Sequence, residues 1–165
     1  MLGKTSFLKH KYTRSRYFHR EYYLKSSYGK LQIESFVTNW VTIDYTEAYC
    51  SAGNSGLSSI IFTCLRNALS KVDSQLNFTE FDVDGNKWID AIGFLHSGYG
   101  AEWGGYDAYN TSRTNRIWSH KSALSTAWTS TEGVSVSNYY ISPSVWDISG
   151  SSIGRIGTIA HETGH

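Results

Sequence analysis

The sequence has no apolar run long enough to cross a membrane. A transmembrane helix needs about 20 mostly apolar residues, and the 165-residue chain contains no such segment. Residues 1–8 also lack the apolar core of a signal peptide. We therefore expect no membrane span, and we expect any export signal to lie outside this sequence.

Cysteine is scarce as well. The chain has only Cys50 and Cys64, too few for the multiple bridges that hold small secreted domains together. Cys64 falls on the apolar face of a predicted helix, where a buried free thiol and a disulfide partner fit the pattern equally well. The sequence leaves the pairing open.

Basic charge is concentrated at one end of the chain. Residues 1–30 contain eight Lys and Arg residues and one acid, Glu21, whereas the remainder is acidic. Since no basic stretch recurs near the C-terminus, a nucleic-acid partner is not expected. We interpret residues 1–20 as a basic leader or pro-segment remnant. Residues 21–165 are long enough for one domain with a real core, and 40% of the whole chain is hydrophobic.

A His-Glu-x-x-His motif occupies the last five residues. In an α-helix, residues i and i+4 lie one above the other, so His161 and His165 can reach one metal ion. Glu162 lies about a quarter-turn away, where it can accept a proton from a water bound to that ion. The spacing predicts zinc ligands at 161 and 165 and a general base at 162.

The predicted motif helix has an apolar face opposite its histidines. At roughly 100° per residue, four side chains fall on that far side. They are Ile153, Ile156, Ile159 and Ala160. One face is therefore expected to be buried and the other to bind the metal. Gly154, Gly157 and Gly164 each cost about 1 kcal/mol in a helix, but they also allow close approach to a sheet.

An acidic segment in the middle of the chain has the spacing of a calcium loop. Its oxygen-bearing side chains are Asp82, Asp84, Asn86 and Asp90. Such a spacing lets a loop wrap a hard cation. Lys87 stands where these loops usually have glycine, and no glutamate follows at the twelfth position. A calcium site and an Asp-Gly turn leading into a strand both remain open.

Periodicity gives a coarse secondary structure. Apolar residues at steps of three and four predict a helix over 57–72, and a short helix is predicted over 21–28. The predicted strands are 31–38, 40–43, 116–121 and 134–141, and the predicted loop is 46–56. The apolar run 89–96 predicts a buried central strand. His96 and His120 are interpreted as hydrogen-bonded structural histidines at strand ends.

Four sequence blocks follow one another in a specific order. They are Glu21-Tyr22-Tyr23 with residues 27–31, residues 81–90 with 94–98, residues 117–120, and residues 156–165. Together they resemble the immune inhibitor A-like family of secreted zinc metallopeptidases, over residues 21–165. The last block alone is shared by many zinc peptidases, whereas the four in order are specific.

The resemblance implies an α+β fold, namely a zincin-like metallopeptidase domain with a twisted mixed β-sheet, a backing helix and an active-site helix. It implies that His161 and His165 are zinc ligands and that Glu162 is the general base. Family members continue past the second histidine to a third ligand and the substrate pocket. Residues 21–165 thus match the N-terminal half of a catalytic domain, truncated at the C-terminus. The family's acidic loop resembles residues 82–90, with calcium as a second cofactor.

We expect the full-length protein to be a secreted zinc endopeptidase that acts on protein or peptide substrates. Strand 134–141 is the predicted edge that would hold the substrate extended. The 165-residue chain alone is expected to bind zinc weakly and to be inactive, because it supplies two of three ligands. Tight zinc binding would instead point to His96, Glu102 or His120 as the third ligand. Two alternatives stay open: a secreted calcium- or glycan-binding module with an inert motif, and a truncated gene product without activity.

Overall fold

The computed structural model describes residues 13–149, 152–154 and 156–164. Its helices are α1 (Thr13–Ser26), α2 (Glu47–Ser51), α3 (Ile60–Val72) and α4 (Ile156–Gly164). Its strands are β1 (Gly93–His96), β2 (His120–Thr129), β3 (Ser135–Pro143), β4 (Val145–Trp146) and β5 (Ser152–Ile153). Short 3-10 turns lie in the connections, at Asp73–Gln75, Phe78–Phe81, Ala101–Trp103 and Arg113–Asn115. The predicted α+β class is confirmed.

The main sheet is mixed and has three strands in the order β1-β3-β2. β1 runs parallel to β3, while β2 runs antiparallel to it. The prediction of a buried central strand over 89–96 is wrong. Only Gly93–His96 is strand, it lies at one edge of the sheet within the described residues, and only His96 in it is buried. An apolar run shows strand propensity but not position in the sheet, and the central strand is β3.

β2 and β3 form an antiparallel hairpin closed by a tight connection at residues 130–134. Gly133 has a φ of +83° in this loop, a conformation that favours glycine. The first strand of this hairpin was predicted at 116–121, but β2 begins only at His120 and continues to Thr129. Its pairing register shifts between Ala123 and Trp128. Because this irregularity breaks the alternation of side chains, the period-two signal is lost there.

The core is built on α3. The buried side chains of this helix are Ile61, Cys64, Leu65, Leu69 and Val72. They pack with buried residues that include Phe78, Val136, Tyr139 and Ile141, and each large apolar side chain buried contributes about 1.5–3 kcal/mol. The helix begins at Ile60 and not at residue 57 as predicted. Leu57 is exposed because it belongs to the preceding turn, where its N–H donates to the Asn54 carbonyl at 3.0 Å.

A disulfide joins α2 to α3. Cys50 and Cys64 are bonded, with an S–S distance of 2.08 Å, and both are buried. α2 itself lies inside the predicted loop 46–56. Its first turn is capped by the Thr46 hydroxyl, which accepts the Tyr49 N–H at 3.2 Å. A helix this short is not stable alone, so its position depends on the cap, the bridge and packing that sequence periodicity does not show.

Residues 31–43 form no strand, which contradicts the strands predicted at 31–38 and 40–43. Within the described part of the chain they have no partner in a sheet. Val41 and Ile43 pack against the core, while Phe36 is exposed. Alternation indicates which side chains can face apolar surface, but a strand also needs a neighbouring backbone to pair with.

α1 brings the N-terminal part of the chain against the motif helix. It runs without interruption through the predicted boundary between residues 20 and 21 and contacts α4. Residues 1–12 of the predicted leader lie outside the described residues. α4 also contacts β2 and β3. The motif helix is therefore supported both by the sheet and by α1.

Candidate metal centre

Gly154 precedes the motif helix and lies close to the end of β3. Its N–H donates to the Ser144 carbonyl at 2.6 Å, and a Cβ at this position would lie 2.9 Å from the Pro143 carbonyl oxygen. Glycine is therefore required where the chain passes the end of β3. The sequence predicted Ile153 and Gly154 inside the helix, but α4 starts at Ile156.

α4 exposes His161 and buries Glu162, which retains 8% of its accessible surface. Ala160, from the predicted apolar face, is also buried, and Ile159 is half-buried. His165 lies outside the described residues, so its pairing with His161 on one metal ion stays a prediction.

An open cleft separates α4 from the first residues of β2. It has a volume of about 570 Å³. Its lining residues are Trp118, Ser119, His120, Lys121, His161 and Glu162. The predicted general base and one predicted metal ligand thus form one wall, and the residues that lead into β2 form the other.

His120 lines this cleft, yet both of its ring nitrogens are engaged. Nδ1 donates to the Trp118 carbonyl at 2.7 Å, and Nε2 lies 3.1 Å from the Tyr139 hydroxyl. A carbonyl can only accept, so Nδ1 carries the proton and Nε2 accepts from the tyrosine. Burial raises the pKa of Tyr139 to about 12, which keeps its hydroxyl protonated as a donor. This geometry supports a structural role for His120.

Glu102 is fixed behind the same wall. Its carboxylate accepts from the Ser119 hydroxyl at 2.5 Å and from the Ser119 N–H at 3.3 Å. The Ser119 hydroxyl also lies 3.4 Å from that of Ser142 on β3. Glu102 therefore anchors the residues that enter β2.

His96 belongs to a buried polar cluster at the end of β1. Arg116 forms ion pairs with Glu47, at 2.5 Å, and with Asp107. His96 lies beside Glu47, and neither of its ring nitrogens makes a hydrogen bond of normal geometry. Burial, reinforced by the nearby positive charge of Arg116, lowers the pKa of His96 to about 3, so this histidine is neutral.

The described residues contain no group of three or more His, Cys, Asp and Glu side chains that could hold a metal ion. His161, Glu162 and His120 share the cleft without forming such a group, and His96 lies in a separate cluster. His165 lies outside this part of the chain, so a third ligand from His96, Glu102 or His120 stays a prediction.

The acidic segment folds into a tight loop. Asp82 accepts the Lys87 N–H at 3.0 Å, Asp84 accepts the Asn86 N–H at 3.1 Å, and Asp90 accepts the N–H of residue 83 at 3.3 Å. Lys87 has a φ of +67°, the left-handed conformation usual for glycine. Asp82 Oδ1 is buried and has no hydrogen-bond partner. The loop thus has the predicted turn geometry, but its carboxylates are turned toward its own backbone.

Comparison with known proteins decides the family. A model of the immune inhibitor A peptidase M6 catalytic domain matches residues 7–165. The chain belongs to this family. No curated protein sequence matches it significantly. The resemblance predicted over residues 21–165 is confirmed, and the match begins earlier than predicted, in agreement with the continuity of α1 across residue 20.

Membership of the immune inhibitor A peptidase family makes this a peptidase domain, whose substrates are proteins or peptides. In the described part of the chain, no helix combines the length and the apolar character that a membrane span requires. The sequence predicts the motif residues because their spacing is local. Trp118 and Lys121 on the opposite wall were missed because only the fold brings them to α4.

Proposed function

We propose that this peptidase domain is a zinc endopeptidase in which His161 and His165 hold the metal and Glu162 is the general base. The observation that carries the proposal is that His161 and Glu162, at adjacent positions of one helix, line the same open cleft. An imidazole ligand beside a carboxylate that does not itself bind the metal fits the chemistry of catalytic zinc. When bound there, zinc would polarise the scissile carbonyl and activate a water molecule.

The burial of Glu162 supports its role as a proton carrier. Its carboxylate takes a proton from the attacking water and passes it to the leaving amine. Restricted access of bulk solvent keeps that proton from being lost during the transfer. Because α4 contacts the sheet and α1, the carboxylate is carried by a supported element and not by a loop.

We propose that the substrate lies along β2. The strand predicted for this role, 134–141, overlaps β3, which pairs with β2 on one side and, over Tyr140–Pro143, with β1 on the other. β2 pairs only with β3 among the described residues. Its first residues, His120 and Lys121, line the cleft. An extended peptide can add to such an edge through main-chain hydrogen bonds.

Calcium binding at residues 82–90 is proposed as a separate, structural role. The supporting observations are the unpartnered buried Oδ1 of Asp82 and the left-handed Lys87, which gives this loop the turn that glycine usually provides. Binding would require the carboxylates of Asp82, Asp84 and Asp90 to rotate away from the backbone N–H groups that they now accept from.

Secretion is the proposed localisation. Disulfides persist in oxidising compartments outside the cytosol, and the described structure contains the Cys50–Cys64 bridge. Members of the immune inhibitor A family are usually secreted, in agreement with this bridge.

The decisive experiment compares Glu162→Gln with His161→Ala in the intact protein. Glu162→Gln should lower kcat on a peptide substrate by at least about 100-fold and leave the zinc content unchanged, because an amide fills the same space but cannot accept the proton. His161→Ala should lose zinc as well as activity. The control is Glu80→Gln, an exposed acid outside the cleft.

Wild-type activity in Glu162→Gln would refute the assigned base. The rival function, a glycan- or calcium-binding module with an inert motif, predicts that no peptide is hydrolysed by the zinc-loaded protein and that glycan binding is unaffected by either substitution. The two functions therefore give opposite results in the same set of proteins.

A further inference from the structure

Tyr23 connects α1 directly to the motif helix. Its hydroxyl donates to the carbonyl of Ala160, the residue that precedes His161. Burial, with a smaller effect of the neighbouring Tyr22 and Tyr140, raises the pKa of Tyr23, so the hydroxyl keeps its proton. A residue 137 positions away in sequence thus holds the backbone of the metal-binding turn.

Tyr140 reaches the same helix from β3. Its side chain lies beside Thr163, one of the two variable positions of the motif. The Thr163 hydroxyl itself donates to the Ile159 carbonyl at 2.8 Å. The Tyr140 side chain can occupy this position only because its cross-strand partner is Gly93. A Cβ added at Gly93 would lie 2.0 Å from the Tyr140 ring.

Gly164, the other variable position, makes room for Tyr23. A Cβ at Gly164 would lie 3.2 Å from the Tyr23 hydroxyl, closer than side chains normally approach. Thr163 and Gly164 therefore have separate structural reasons to occupy their positions in the motif. Thr163 places its hydroxyl beside Tyr140, and Gly164 leaves space for Tyr23.

We propose that Tyr23 and Tyr140 are positioning residues, which hold α4 from α1 and from β3 so that His161 and Glu162 face the cleft. Their two contacts bracket the pair, at Ala160 before it and at Thr163 after it. The proposal rests on the proposed peptidase function, because the positions it fixes are those of a metal ligand and a general base.

The need for such anchors follows from the helix itself. α4 has nine residues, of which two are glycines. Isolated helices shorter than about 12 residues are marginal in water, and each glycine weakens them further. The orientation of α4 must therefore come from tertiary contacts. Small displacements of catalytic groups reduce turnover strongly, so loss of an anchor should affect kcat more than substrate binding.

The test uses Tyr23→Phe, Tyr140→Phe and the double variant in the intact zinc-loaded protein, with Tyr22→Phe as control. Tyr22 is the neighbouring, exposed tyrosine on α1. Each substitution removes one hydroxyl and keeps the ring. Amide hydrogen exchange in residues 160–164 should rise about five-fold for each anchoring hydroxyl removed. At the same time kcat should fall with little change in KM, and zinc should transfer faster to a chelator.

A second set of variants tests the space at Gly164. Gly164→Ala should lower kcat in the wild-type background, because the added Cβ pushes the Tyr23 hydroxyl away from Ala160. The same substitution should lower kcat by a smaller factor in the Tyr23→Phe background, where there is no hydroxyl to displace. Any gain in helix propensity from alanine is the same in both backgrounds and cancels in this comparison.

The proposal is overturned if Tyr23→Phe and Tyr140→Phe show the same amide exchange rates and the same kcat as Tyr22→Phe. Faster exchange with an unchanged kcat would also overturn it, since the tyrosines would then be packing residues only. If the proposed function itself is wrong, the result is different. Glu162→Gln then keeps full activity, or the zinc-loaded wild-type protein hydrolyses no peptide. Both outcomes are independent of the amide exchange measured in the tyrosine variants.

Discussion

His96 Nδ1 lies 3.6 Å from Glu47 Oε1, in a place where both side chains are buried and no hydrogen bond joins them. The titratable groups that interact with the imidazole are Glu47 from α2, Arg116, and His120 from β2. The backbone of Ile117 approaches both His96 and Glu47 without satisfying either ring nitrogen. A neutral histidine is therefore held next to a carboxylate that is already paired with Arg116.

This arrangement predicts acid sensitivity. The pKa of His96 is about 3 in the folded protein, against 6.5 for an exposed histidine. Between these values the unfolded chain binds a proton that the native state does not, so the free energy of unfolding should fall as pH drops below about 6.5. The loss should reach a few kcal/mol near pH 4. Urea unfolding at a series of pH values measures it.

His96→Leu isolates this contribution, because leucine has a similar volume and does not titrate. Burial raises the pKa of Glu47, which acts in the opposite direction at the acid end, but this effect is present in both proteins. The difference in the free energy of unfolding between wild type and His96→Leu should therefore grow as pH falls. Parallel profiles would show that His96 is protonated in the native state.

The disulfide should make a measurable contribution to stability. Cys50→Ser/Cys64→Ser is expected to lower the free energy of unfolding by about 3 kcal/mol, since the bridge closes a loop of about 15 residues in the unfolded chain. Wild-type protein in reductant should approach the same value. If the oxidised and reduced proteins unfold at the same urea concentration, α2 is held by its cap and packing alone.

Calcium should raise the melting temperature if residues 82–90 bind it. At a hundredfold excess over Kd, a ligand that binds only the native state adds about 2.7 kcal/mol. Melting scans with calcium and with chelator should differ for wild type and not for Asp82→Ala. Glu132→Ala, an exposed acid outside the loop, is the control and should behave as wild type. An equal shift in all three proteins would assign the calcium elsewhere.

Lys87→Gly should stabilise the protein without any added metal. Lys87 has a φ of +67°, a conformation that costs a side chain about 1 kcal/mol and costs glycine almost nothing. The matched substitution Lys121→Gly lies in β2, where glycine is expected to destabilise by about 0.5–1 kcal/mol. In chemical unfolding, the free energy of unfolding is expected to rise for Lys87→Gly and to fall for Lys121→Gly. Destabilisation by both substitutions would argue against strain at residue 87.

The elements predicted correctly are those whose signal is local. The face of α3 repeats every three to four residues and is buried as expected from Ile61 to Val72. The strands expected at 31–43 failed because alternation carries no information about a pairing partner. Much of β2 was missed because its register irregularity between Ala123 and Trp128 disrupts alternation.

The residues of the candidate site likewise differ in whether their signal in the sequence is local. The positions of His161 and Glu162 follow from helical spacing, and the structure places both in one cleft. Tyr23 and Tyr140 could not be found in this manner, because each meets α4 across a large separation in sequence. Nothing in the residues around a tyrosine shows which distant carbonyl or hydroxyl it will reach.

β3 carries consecutive tyrosines that point to opposite faces of the sheet. Tyr139 is hydrogen-bonded to His120 at the cleft wall, whereas Tyr140 lies beside Thr163 on α4. A single inserted or deleted residue inside β3 would exchange the two faces and detach both walls of the cleft at once. Among homologues, changes in chain length are therefore expected in the 130–134 connection and excluded from the strand that follows it.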